Sequence, residues 1–146
     1  MTERFKLIPT AHLVLFKEDK ILLLRRFNTG YEDGNYSVVA GHKDENETFT
    51  QAMIRETKEE AGIELKPEDL EVVHIMHRNS DNGGGERVDM FIEAKNWTGD
   101  PKIMELNKCD DLSWFDINDL PSNTIPYIQF AIKNIKDQKF YSEFGW

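Results

Sequence analysis

Three glutamates, Glu56, Glu59 and Glu60, stand within one stretch of five residues. Thr48 to Ala61 around them reads as a helix, rich in good formers and free of proline, with Gly62 as its stop signal. At about 100° per residue, Glu56 and Glu60 fall in the same sector as Phe49, Ala52 and Met53, and Glu59 lies at the edge of that sector. Thr50, Ile54, Thr57 and Ala61 form a second, milder inward stripe. Residues three and four apart are neighbours on a helix, so the carboxylates crowd one another, and two of them share a face with apolar groups. A divalent cation removes both penalties, and an all-oxygen donor set suits Mg²⁺ or Mn²⁺ alongside substrate phosphates. The plain alternative is a solvated acidic helix paired with Arg55 and Lys58.

The spacing extends further. Gly41, Glu47, Arg55, Glu56, Glu59, Glu60, Gly62 and Ile63 stand in the register that resembles the signature of the Nudix hydrolases. Thr57 departs from it, standing where the family usually has an aliphatic residue. The approach to the loop also differs: Val39-Ala40-Gly41-His42 replaces a Pro-Gly-Gly run, and Asn46 stands where a second glycine is usual. Asn tolerates a left-handed turn better than most residues, which lets the loop keep its shape.

The resemblance implies an α/β fold, the Nudix α/β/α sandwich with a mixed β-sheet between helices, and an enzyme that cleaves a nucleoside diphosphate linked to another group. It implies that Glu56, Glu59 and Glu60 hold Mg²⁺ or Mn²⁺ directly or through water. Gly41 would let the backbone pass close to the phosphates and metal, while Glu47 and Arg55 would brace loop and helix. Water would attack phosphorus, with Glu59 or Glu105 as the base. His42, beside this loop, is either a phosphate contact or an exposed imidazole.

Further on, Trp97-Thr98-Gly99-Asp100-Pro101 followed by Glu105 resembles a segment of the MutT-type branch, which hydrolyses nucleoside triphosphates. There Glu105 would complete the metal shell, and Asn123, near the start of the last helix, would read the base. Trp97 joins Phe27, Tyr31 and Trp114 as an aromatic that could stack on a base. Arg25 and Arg26, ending an apolar run, could meet a phosphate or form plain salt bridges. The implied reaction gives a nucleoside monophosphate and pyrophosphate, with oxidised purine forms such as 8-oxo-dGTP among the substrates. Nucleoside diphosphate sugars, dinucleotides and capped RNA ends are the alternatives, and a nucleotide-binding sensor without turnover is a third reading.

Composition sets outer limits. The 146 residues suffice for one domain with a core, expected over 1–146. Acidic residues number 27 against 18 basic, a net charge of -9, which argues against a broad nucleic-acid surface but not against small nucleotide substrates. Cys109 is the only cysteine, so no disulfide can form within the chain. No run approaches the ~20 apolar residues needed to span a bilayer, and MTERFKLIPT lacks the apolar stretch of a signal peptide. The expectation is a cytoplasmic monomer or homodimer that does not touch membranes.

The elements that must position these residues follow from periodicity. Leu7 to Phe16 and Ile21 to Leu24 read as strands, the second buried on both faces; Tyr36 to Ala40 reads as one short strand feeding the loop. Leu70 to Arg78 and Arg87 to Ala94 read as a hairpin with Val88, Met90 and Ile92 on one face, joined by a flexible glycine-rich loop. Leu112 to Phe115 forms a late strand. Ile125 to Lys136 is the last helix, with Tyr127, Phe130, Ala131 and Ile135 inward. The aromatic tail KFYSEFGW either docks on the protein's own surface or mediates self-association.

Overall fold

Alternate residues of a strand face opposite sides of a sheet, so a run that is apolar throughout needs cover on both. The computed structural model, which describes residues 3–80 and 84–146, shows this for β3 (Lys20–Arg26): Leu22 and Leu24 enter one core cluster, Ile21 and Leu23 the other. β1 (Ile8–Val14) divides likewise, with Ala11 and Leu13 in the first cluster and Val14 in the second. The first cluster lies under helix α1 (Phe49–Ala61) and the second under helix α2 (Pro126–Lys136). Two helices therefore flank the strand layer in the expected α/β/α arrangement.

The strand layer has two parts. A five-stranded mixed sheet runs in the order β5 (Ala40–His42), β1, β7 (Gly85–Ala94), β6 (Leu70–Ser80), β9 (Tyr141–Phe144). β1 pairs with β7 and β6 with β9 in parallel, while the other two contacts are antiparallel. In the smaller sheet β3 is central, pairing with β2 (Phe16–Lys17), β4 (Tyr36–Ser37) and β8 (Cys109–Asp116). The single strand expected over Tyr36 to Ala40 is thus two strands in two sheets. Val38 and Val39 drop into opposite core clusters between them, carrying the chain across and delivering Gly41 to the edge of β1.

Helix α1 is closed at both ends. The Thr48 hydroxyl accepts from the Gln51 amide at 3.0 Å and the Gln51 side chain accepts from the Thr48 amide at 2.8 Å, a capping box. Gly62 terminates the helix at φ 69°, a left-handed geometry that glycine adopts without strain. Asn46 adopts φ 64°, as expected of the residue standing in for glycine. Helix α2 starts on Pro126. Its inward residues are Tyr127, Ile128, Ala131 and Ile132; Phe130, expected inward, is 37% exposed and meets Phe144 instead.

On β7 the fully buried positions include Asp89 and Phe91, on the face opposite Val88 and Met90. The hairpin between β6 and β7 keeps its register out to Ser80 and Gly85, and the middle of the expected glycine-rich loop, 81–83, lies outside the described residues. The aromatic tail docks on its own chain as β9, where the His74 ring meets the Lys139 carbonyl and the Ser142 hydroxyl, each at 2.7 Å. Among the described residues no helix is long and apolar enough to cross a membrane.

Candidate active site

Arg55 is the hub of the loop that precedes α1. Its guanidinium donates to both Glu47 oxygens, at 2.7 and 3.2 Å, to Glu56 at 2.7 Å and to the His42 carbonyl at 3.2 Å. The Asp44 amide also donates to Glu47, at 2.7 Å. Arg55 and that amide hold the Glu47 carboxyl down at about 2, while its carboxylate partners, Glu47 first, raise Arg55 further against the opposing effect of burial. The loop from Gly41 to Glu47 is thereby fixed to the helix.

Glu56, Glu60 and Glu105 line one cavity of about 450 Å³, together with Arg26, Gly41 and His42. Burial pushes Glu60 up to about 8, aided by Glu56 and Glu105; burial likewise raises Glu56 despite its bond to Arg55. The Glu60 carboxylate accepts from the Ala40 amide at 3.3 Å. A Cβ on Gly41 would fall on the Glu56 carboxyl, so any larger residue here displaces that carboxyl from its place in the cavity. Glu59, grouped with Glu56 and Glu60 by spacing, stays on the rim: it is 55% exposed and lies 3.5 Å from Arg55. Among the described residues no three acidic, His or Cys side chains converge closely enough to cage an ion by themselves.

Glu105 reaches this cavity because the chain before it is tied to the end of α1. Thr98 and Glu64 exchange two backbone hydrogen bonds at 3.0 Å, and the Lys102 amide donates to the Ala61 carbonyl at 2.9 Å. The Trp97 segment makes that tie and does not line the cavity. The Trp97 ring packs on the core below α1 and stacks with Trp114, centroids 6.1 Å apart.

Two other expected residues are also not brought to the carboxylates. The pairing of β3 with β8 shifts register between Arg25 and Arg26, and the two side chains part there. Arg26 lines the cavity, whereas Arg25 bonds Asp110 at 2.7 Å and lies over Tyr36. Asn123 donates to the Gly34 carbonyl at 2.7 Å, and its own carbonyl accepts from the Tyr36 amide, so it secures the loop after β3.

A second cavity of about 480 Å³ adjoins the first through Arg26, Ala40, Gly41 and His42. Behind it lies a buried polar network that spacing alone did not reveal. The Thr10 hydroxyl donates to Asp89, Arg78 donates to Asp89 at 2.6 Å, and His12 meets the Tyr127 hydroxyl at 3.0 Å. Arg78 is 5% exposed and lies 3.7 Å from the Tyr127 ring centre. Burial opposes the charge of Asp89, but His12, Arg78 and Thr10 outweigh it and hold the acid low. Burial keeps His12 neutral, lowering it to about 4. The visible sign was faint: Arg87 and Asp89 alternate on a strand whose neighbours are apolar.

A family model described as the NUDIX domain matches residues 6–138. The chain belongs to the NUDIX family. A MutT NUDIX hydrolase from Burkholderia pseudomallei superposes with a TM-score of 0.80 at 23% identity, covering 88% of this chain and 98% of that one. The NUDIX domain of Shewanella oneidensis NrtR, solved with ADP ribose, gives a TM-score of 0.71 at 21% identity, covering 92% and 90% of the two chains. At these identities the likeness is one of fold. Among curated proteins, the NAD-capped RNA hydrolase NudC of Pseudomonas entomophila is 26% identical over 118 residues, 80% of this chain and 39% of that protein. The NUDIX chain thus spans about two-fifths of that relative's length. The expectation of a NUDIX pyrophosphohydrolase is met at the level of family and fold.

Proposed function

We propose that this protein hydrolyses a phosphoanhydride bond in a nucleoside triphosphate, oxidised purine forms such as 8-oxo-dGTP included, giving a nucleoside monophosphate and pyrophosphate. The observation that carries the reading is the meeting of Glu56, Glu60 and Glu105 in one cavity beneath Gly41. The donors fit a hard divalent cation: Glu56, Glu60 and Glu105 all offer carboxylate oxygens to one cavity. A set too open to cage an ion alone suits Mg²⁺ or Mn²⁺, which complete their shells with waters and substrate phosphates. When bound, such a metal would neutralise the phosphates and acidify water at the scissile phosphorus.

The chain's own residues supply the rest. Glu56 and Glu60 would hold the metal from the helix, and Glu59, on the rim beside Arg55, would hold it through water. Arg55 and Glu47 fix their geometry, and the missing side chain of Gly41 leaves room for phosphate against the backbone. Arg26, which lines both cavities, binds phosphate oxygen. Glu105 accepts the proton of the attacking water as the new P–O bond forms and the bridging P–O bond breaks. Its position on the cavity wall supports it over Glu59, the other candidate base. The reading places the reaction in the cytoplasm, which the absence of a disulfide pair suits.

A second reading, cleavage of a dinucleotide or a capped RNA end, draws support from the NAD-capped RNA hydrolases among the relatives and from the NrtR domain solved with ADP ribose. The test is a mass-resolved product assay over triphosphates, nucleotide sugars and dinucleotides, with and without Mg²⁺, on wild type, Glu60→Gln and Glu105→Gln. Monophosphate plus pyrophosphate, dependent on Mg²⁺ and lost in the variants, is the expected result. Cleavage confined to dinucleotides moves the substrate class, and nucleotide binding without turnover in wild type overturns the hydrolase in favour of a sensor.

A further inference from the structure

The second cavity is unusual in an acidic protein, because three guanidiniums line it: Arg26, Arg78 and Arg87. Asp89 answers Arg78. Among the described residues no carboxylate is bonded to the other two. The acceptors of Arg26 are neutral oxygens of Tyr31 and Thr29, at 2.7 and 3.0 Å. Arg87 has a long contact to His42 at 3.4 Å, another to the Gly84 carbonyl at 3.5 Å, and a buried Nε without a partner. An unmatched buried donor is a standing penalty that an oxyanion would relieve.

The site is also built. Asp89 and the Tyr127 ring clamp Arg78 in the cavity wall. His12 behind it is neutral, so the positive charge facing the cavity is carried by arginine. Arginine forks match tetrahedral phosphate, and three of them line this one cavity.

We propose that this cavity is a phosphate subsite, built by Arg26, Arg78 and Arg87 to take a terminal, singly substituted phosphate group of the substrate, apart from the anhydride held beside Glu56, Glu60 and Glu105. That the phosphate belongs to a substrate rests on the hydrolase reading; the anion site itself does not. Two sources share this chemistry: the last phosphate of a nucleoside triphosphate, and a phosphate on the sugar of a dinucleotide. The cavity's volume accommodates either.

The experiment is calorimetric binding to the full chain with metal chelated, so that turnover does not enter. Two ligand pairs are compared: NADP⁺ with NAD⁺, and a nucleoside triphosphate with its γ-methyl ester. In one pair the member with the free terminal phosphate is expected to bind about 10-fold tighter or more. Arg87→Gln brings the members of that pair together, and Arg87→Lys, which keeps the charge but not the fork, restores part of the difference. The pair that responds identifies the source. Equal affinities within both pairs, no binding by any ligand, or an Arg87→Gln variant that keeps the full difference would overturn the subsite. A binding preference without Mg²⁺-dependent turnover leaves the subsite standing and removes the hydrolase.

Discussion

Arg55 grips Glu47 through two hydrogen bonds, at 2.7 and 3.2 Å, across eight residues of chain. The same guanidinium reaches Glu56, so one side chain sets both the loop and the first carboxylate of the cavity. Lysine keeps the charge but cannot form this fork. Arg55→Lys is therefore expected to lower kcat/KM by about 10- to 100-fold while the helix stays folded. Turnover and circular dichroism on the same sample check both halves.

Gly41→Ala places a methyl group on the Glu56 carboxyl. Either Glu56 leaves the cavity or the loop moves. The expected outcome is loss of most activity as Glu56 is displaced, with a stability change of less than about 1 kcal/mol, read by urea denaturation. Full activity in the variant would show that the close approach has no role in turnover.

Asp89→Asn strips the buried countercharge from Arg78. Breaking a buried pair leaves an uncompensated ion, and about 3–5 kcal/mol of stability should go with it. Thermal and urea melts measure the loss. The comparison with Arg25→Gln is instructive, since Arg25 and Asp110 are both over a third exposed and their pair should contribute less than about 1 kcal/mol.

His12 should subtract from stability in mild acid. Its folded value is lowered from 6.5 to about 4, by burial first, with Arg78, Arg87 and His42 adding to the shift and Asp89 opposing it. Between those values the unfolded chain binds a proton that the folded chain refuses. The stabilisation is complete above pH 6.5 and is lost as the pH falls toward 4, where folded and unfolded forms are both protonated. The full span is worth about 3 kcal/mol. Glu60, raised to about 8, contributes a slope of opposite sign in the same window, so His12 is read as the difference between wild type and His12→Gln: urea midpoints of wild type should fall relative to those of the variant as the pH drops from 6.5 toward 4.

How much of this was legible depends on how far apart in the chain the partners lie. The carboxylates of α1 occupy one continuous stretch, so spacing exposed them, as it did the two-sided burial of Ile21 to Leu24, while the family resemblance pointed to their brace; the Thr48 cap was read as helix. The arginine cavity draws on β1, β3, β6, β7 and α2, and its central contact joins Arg78 to a ring on a helix far along the chain. No local period encodes such a meeting. Trp97 and Asn123 misled for the converse reason. Both sit at plausible places in sequence, yet one fills the core and the other ties down a loop. Glu59 marks a finer limit, because a helical wheel gives direction but not depth. The break between β4 and β5 escaped notice because Val38 and Val39 look like any strand interior until two sheets claim them separately.

The docked tail has a consequence for the molecule's behaviour in concentrated solution. β9 covers the outer edge of β6, and the His74 ring pins it there through Lys139 and Ser142. Without the tail, β6 would present a row of bare amides and carbonyls, an open template for a strand of another molecule. The last residues therefore act as a guard against aggregation, and a protease that trimmed them would turn a well-behaved protein into one that sticks to itself while leaving Glu56, Glu60 and Glu105 untouched.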